Sequence, residues 1–152
     1  MVAVSLLGGV GAGWAFGLAF AAAAIDWRRR ILPNEITYLL IASGLVAAAF
    51  AAPGEIAARA LGAALGYGSL WALGWLWRRY RGEEAMGLGD AKLFAGLGAW
   101  LGWTSLAEIA FLAACFGVAL GLARGREREI PFGPPLALGA LVFWVVGPIL
   151  TI

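Results

Sequence analysis

The sequence predicts an all-α integral membrane protein, a bundle of about six transmembrane helices with both termini outside the cytoplasm. Three observations carry this reading. First, of 152 residues 62% are hydrophobic and only 13% charged, and a mean hydropathy of +0.87 lies far outside the soluble range. Second, apolar runs recur at 2–25, 36–52, 56–77, 88–103, 106–123 and 136–152, most of them near the ~20 residues that cross a bilayer as a helix. Third, nine of the ten arginines fall in the first, third and fifth connections between those runs.

The first run ends in Asp26-Trp27-Arg28-Arg29-Arg30. A secretory signal peptide carries its positive charge before the apolar stretch, so this run is a retained span. The second follows Pro33 and Asn34, and the third closes on Arg78, Arg79 and Arg81. The fourth is short and opens on Gly87-Leu88-Gly89-Asp90. The fifth contains the single cysteine, Cys115, expected as a buried packing residue, and is followed by Arg124, Arg126 and Arg128. The sixth is entered through Pro131-Phe132-Gly133-Pro134. Arg59 alone lies away from these basic connections. By the positive-inside rule the three arginine-rich connections are cytoplasmic. With no linker and no low-complexity segment, residues 1–152 read as a single transmembrane domain.

Glycines recur four residues apart at Gly9, Gly13 and Gly17, at Gly62 and Gly66, at Gly98 and Gly102, and at Gly117 and Gly121. Small residues at that spacing let helix backbones approach closely in lipid. Packing within one bundle is the expected use, with homo-oligomerisation the alternative. Trp27, Trp77 and Trp103 stand at span ends, where aromatic belts form.

Composition restricts the chemistry. Histidine is absent and cysteine occurs once, which removes imidazole acid–base catalysis, serine–histidine triads, disulfides and Cys-rich zinc sites. No metal or other cofactor is expected, and no nucleic-acid partner. The chain has two aspartates, Asp26 and Asp90, and the topology puts both at the cytoplasmic membrane boundary. Two carboxyl groups held close share a proton and titrate as a pair. One can deprotonate a water that attacks a peptide carbonyl while its protonated partner stabilises the oxyanion. Simpler roles exist for each. Asp90 has the residue type and place of a helix N-cap, and Asp26 has three arginines for exposed ion pairs. Neither role explains why both aspartates share one face of the membrane. Gly87 and Gly89 add backbone that tolerates close approach, as needed where irregular chain lines a wet cavity.

Three segments together resemble the type IV prepilin peptidases, membrane aspartyl proteases with a GxGD motif. They are DWRRRILPNEIT (26–37), EAMGLGDAKLFAGLGAWLGW (84–103) and EIPFGPPLALGAL (129–141). The resemblance implies a transmembrane peptidase domain of six helices with Asp26 and Asp90 as the catalytic pair and Gly87 and Gly89 in the active-site loop. It further implies removal of the basic leader from prepilin-like precursors (pilins, pseudopilins or archaellins) at the cytoplasmic face of the cell membrane, with a role in type IV pilus assembly or protein secretion. Asn34, Lys92, Pro131, Phe132, Gly133 and Pro134 lie in the matching segments as supporting residues. Lys92 either favours the ionised form of Asp90 or extends to lipid headgroups. Glu83 and Glu84 either meet the basic leader or form a solvated face. Longer bacterial members of the family carry Cys-x-x-Cys pairs ahead of the first span and methylate the product. This sequence resembles the short form, so methyltransferase activity is not expected. The rival readings are a small proton or ion transporter using the aspartates as relays and a membrane scaffold indifferent to both.

Overall fold

Proline and glycine punctuate an otherwise apolar chain, and the helices begin and end where they stand. The computed structural model describes residues 9–29, 31–82, 87–124 and 131–148. Within them lie six α-helices: α1 (Gly9–Arg29), α2 (Asn34–Ala51), α3 (Ile56–Arg81), α4 (Leu88–Leu101), α5 (Leu106–Arg124) and α6 (Gly133–Val146). Short 3-10 turns, Pro53–Glu55 and Trp103–Ser105, join α2 to α3 and α4 to α5. No strand occurs among the described residues. Three helical segments, Asn34–Ala51, Pro53–Arg81 and Trp103–Ala123, are long and apolar enough to cross a membrane. The all-helical class predicted from sequence is observed, and among the described residues three of the six expected spans meet this criterion.

The ends have local causes. Pro33 is extended (φ −64°, ψ 128°) ahead of α2. Its carbonyl accepts both the Thr37 N–H and, at 3.3 Å, the Thr37 hydroxyl. Gly82 terminates α3 in the left-handed region (φ 74°), returning its N–H to the Arg78 carbonyl at 2.9 Å. Only glycine takes that conformation freely. Arg78, Arg79 and Arg81 fill the last turn of α3, where positive charge suits the helix dipole. The sixth run was expected to be helical over 136–152, whereas α6 starts at Gly133 and stops at Val146. Proline is compatible with a first turn, so Pro134 and Pro135 join the helix. Gly147 (φ 84°) and then Pro148 stop it. Residues 149–152 lie outside the described residues.

The short fourth apolar run is a 14-residue helix, α4, and it forms the centre of the bundle. Ala91 and every residue from Leu93 to Trp100 are buried, and α4 packs against the other five helices. A helix apolar on all sides belongs inside. Its 14 residues give a length of ~21 Å, against ~39 Å for the 26-residue α3. The periphery shows the reverse pattern. Phe50, Leu122 and Val145 project outward at 87%, 81% and 73% exposure, as lipid-facing side chains do. Cys115, expected to be buried, is exposed on α5. An apolar run in a membrane bundle does not distinguish the core side from the lipid side, so its sequence context was uninformative.

Glycine allows the closest contact in the bundle. Gly62 and Gly66 of α3 lie against the α4 backbone at Gly98 and at Phe94–Ala95. That pair of faces serves internal packing as expected. The face of Gly13 and Gly17 meets nothing within 4 Å among the described residues. At the other edge, Phe16 of α1 meets Trp144 of α6 edge-to-face at 5.8 Å.

Arg59, the arginine outside the basic connections, is almost fully buried at 3% exposure. Its Nη1 donates to the Trp100 carbonyl at 2.7 Å, and its Nη2 bonds Glu55 Oε2 at 2.8 Å. The Trp100 indole N–H in turn donates to the Leu40 carbonyl at 3.0 Å. Arg59 thus satisfies a carbonyl in the last turn of α4 and ties three helices at the end opposite Asp90. Removing one partner of a buried ionic network leaves the other unsatisfied. Arg59→Met should therefore lower stability by about 2–3 kcal/mol, Glu55 being part-exposed. Thermal unfolding of the detergent-purified protein reads this out, and an unchanged transition would remove the assigned role.

Candidate active site

The two aspartates approach from opposite chain directions. Asp26 lies in the last turn of α1, and Asp90 is the third residue of α4. Asp26 is buried at 6% exposure, while Asp90 is half-buried. The end of α1 and the start of α4 share one end of the bundle, where Gly89 of α4 packs on Leu32 just beyond α1.

Three contacts fix that end. Gly133 donates its backbone N–H to Asp26 Oδ2 at 3.1 Å, joining the start of α6 to the end of α1. Gly133 has no room for a side chain, because a Cβ there would lie 2.7 Å from the same oxygen. Gly89 packs on Leu32 in the connection between α1 and α2, where an added Cβ would fall 2.7 Å from the Leu32 Cβ. The glycine immediately before Asp90 thus lets α4 seat against the chain just beyond Asp26. Third, Lys92 Nζ donates to Asn34 Oδ1 at 2.7 Å and lies 4.8 Å from the Tyr38 ring centre. An ammonium over an aromatic face is a favourable arrangement.

The sequence-derived supporting residues therefore divide. Asn34 and Lys92 are brought together, with the lysine hydrogen-bonded to α2 rather than serving Asp90 through a direct bond. Gly133 touches Asp26, and Pro134 lines a groove between α1 and α6. Gly87 is the extended residue ahead of α4, its carbonyl accepting the Asp90 N–H at 3.1 Å. Phe132 precedes the first turn of α6 without a side-chain cap, and Pro131 is half-buried before it. Glu83, Glu84, Arg30, Arg126 and Arg128 lie outside the described residues. Leu32 and Pro135 were not singled out from sequence. Leu32 is one more leucine among many, whereas the doubled proline after Gly133 was a usable signal.

Two grooves open along the last turns of α1, and Asp26 lines neither of them. One runs between α1 and α6 past Phe20, Ala23, Trp27, Pro134 and Leu138. The other lies between Ile25, Arg28, Arg29 and Pro33. No group of three metal-ligating side chains occurs among the described residues.

Comparison with known proteins decides the affiliation. Residues 14–122 match the model of the type IV leader peptidase family. The chain belongs to that family. It is 42% identical over 147 residues to a prepilin leader peptidase/N-methyltransferase of Burkholderia pseudomallei (strain 1026b), covering 90% of this chain and 48% of that protein. A protein of the same description from Xanthomonas campestris pv. campestris is 41% identical over 132 residues, covering 82% of this chain and 46% of its own. One from Dickeya chrysanthemi is 38% identical over 130 residues, covering 86% and 46%. The chain thus spans about half the length of the curated relatives it matches. No solved structure matches it.

Proposed function

We propose that this member of the leader peptidase family is a membrane aspartyl endopeptidase that removes the basic leader from prepilin-like precursors at the cytoplasmic membrane face. The observation that supports the reading is that the only two aspartates lie at one end of the bundle, Asp26 buried beside Gly133 and Asp90 half-buried next to Gly89, which packs on Leu32 just beyond α1. One carboxylate accepts a proton from water as the water oxygen bonds to the scissile carbonyl carbon. The other carboxyl donates its proton to the carbonyl oxygen. Collapse of the intermediate breaks the carbon–nitrogen bond and protonates the leaving amine.

The membrane setting supports this role. Arg28 and Arg29 end α1, and Arg78, Arg79 and Arg81 end α3, so the aspartates share the end of the bundle that carries the arginines. Positive charge of that kind marks a cytoplasmic face. A precursor with an apolar helix and a basic leader then has its junction at the depth of the carboxyl pair.

The test is cleavage of a panel of purified precursors, with product N-termini read by mass spectrometry. Cutting at the junction between the basic leader and the apolar helix is expected, and the same spectra show whether the new amine gains a methyl group. Failure to cut any precursor, with the protein folded, would overturn the reading.

A further inference from the structure

The start of α6 shows how the two carboxyls divide their roles, given the aspartyl-protease reading above. We propose that the Gly133 backbone N–H is a positioning donor that holds Asp26 as the ionised base and leaves Asp90 to carry the shared proton.

The argument begins with the sequence of the helix start. The first N–H groups of a helix have no partner within it and seek outside acceptors. Here the second and third helical residues are Pro134 and Pro135, which have no N–H. The Leu136 N–H is already bonded to the Phe132 carbonyl at 3.1 Å. Gly133 is therefore the single donor among the first three helical residues, and it is spent on Asp26 Oδ2 at 3.1 Å. An N–H donor favours the ionised form of the carboxyl it meets. The positive end of the α6 dipole acts in the same direction. The absence of a Cβ at position 133 is what admits the carboxylate, since any side chain would fall on the same oxygen.

Charged groups on the elements packed around Asp26 do not make this assignment by themselves. α1 contributes Arg28 and Arg29, α2 contributes Glu35, and α4 contributes Asp90 and Lys92, while α6 carries no charged residue. Lys92 is engaged with Asn34. Asp90 occupies a first helical turn, whereas Asp26 stands in the last turn of α1, whose dipole opposes the α6 dipole there, so helix dipoles do not favour Asp26 and the direct bond from Gly133 separates the two. In the reaction, Asp26 takes the water proton and Asp90 gives its own to the carbonyl oxygen. On collapse, Asp90 recovers a proton from the gem-diol, and Asp26 passes its proton to the nitrogen as the carbon–nitrogen bond breaks. One water is consumed and the pair is restored.

The experiment uses the full chain in lipid nanodiscs, labelled in glycine nitrogen and phenylalanine carbonyl carbon. Phe-Gly pairs occur at Gly17, Gly117 and Gly133, so three amides are selected, and Gly133 is the one lost in Gly133→Ala. Its amide resonance should move with pH, keep moving in Asp90→Asn and stop moving in Asp26→Asn. In parallel, Gly133→Ala should lower kcat by about tenfold to a hundredfold with KM little changed, and displace the acid limb of the pH profile. A Gly133 amide that ignores pH, or that follows Asp90 instead, overturns the inference while leaving the protease reading intact. Cleavage that survives Asp26→Asn or Asp90→Asn overturns the protease reading itself. If Gly133→Ala does not fold, replacing Phe116 removes the Gly117 signal and Phe16 the Gly17 signal, so the wild-type titration still decides.

Discussion

Asp26→Asn and Asp90→Asn should each reduce precursor cleavage by about a thousandfold or more, mainly through kcat. Asparagine keeps the size of the side chain and its capacity to accept a hydrogen bond, so the Gly133 contact at 3.1 Å can persist in Asp26→Asn. What is lost is the ability to take or give a proton. Because the two groups act as a unit, the double variant should be little worse than either single one. The pH profile has a defined sign at each limb. Activity falls toward acid as the base carboxylate is protonated, and falls toward alkali as the acid carboxyl loses its proton. Each Asn variant should lose one limb from whatever activity remains. Initial rates across pH with a synthetic precursor, in preparations with unchanged thermal unfolding, provide the measurement. A scaffold would tolerate both substitutions, and full activity in either would remove the carboxyl-pair mechanism.

The sequence made the residue types of the site legible and left much of its geometry hidden. Two aspartates in a chain without histidine stand out by scarcity, and alternation of arginine-rich connections aligned their helix ends. Short α4 was visible as a short apolar run, although its burial was not, because every run in this chain is apolar. For the same reason Cys115 could not be assigned to the core or the lipid side. The partner of Gly89, Leu32, depends on how a connection folds back on a helix start, which no local pattern encodes. Lys92 illustrates the same limit. Its position two residues past Asp90 suggested service to that carboxylate, but a long side chain reaches in several directions, and here it crosses to Asn34 and Tyr38. Arg59 looked anomalous for topology because its partners, Glu55 and the Trp100 carbonyl, neutralise it within the bundle.

Adding a single methyl group at two glycines of α3 should have opposite effects on stability. A Cβ at Gly62 would fall on the Gly98 carbonyl oxygen and 2.9 Å from the Gly102 carbonyl carbon. These are backbone atoms and cannot move aside by changing rotamer, so α3 and α4 must separate. Overpacking commonly costs about 1–3 kcal/mol, and here the loss should reach the upper end, because the seam is built from backbone approach. Gly68 lies six residues later on the same helix with open space to 4 Å around its added Cβ. Gly68→Ala should therefore raise stability by about 0.5–1 kcal/mol, as alanine replaces glycine within a helix. Paired thermal unfolding in one detergent makes the comparison, and equal effects at both positions would refute the α3–α4 seam. The consequence reaches the site, because Gly98 and Asp90 share the short, rigid α4. Forcing the two helices apart at Gly62 tilts the helix that carries Asp90 while Asp26 stays bound to Gly133. Gly62→Ala should accordingly lose cleavage activity at temperatures where the protein remains folded, although no atom of residue 62 belongs to the carboxyl pair.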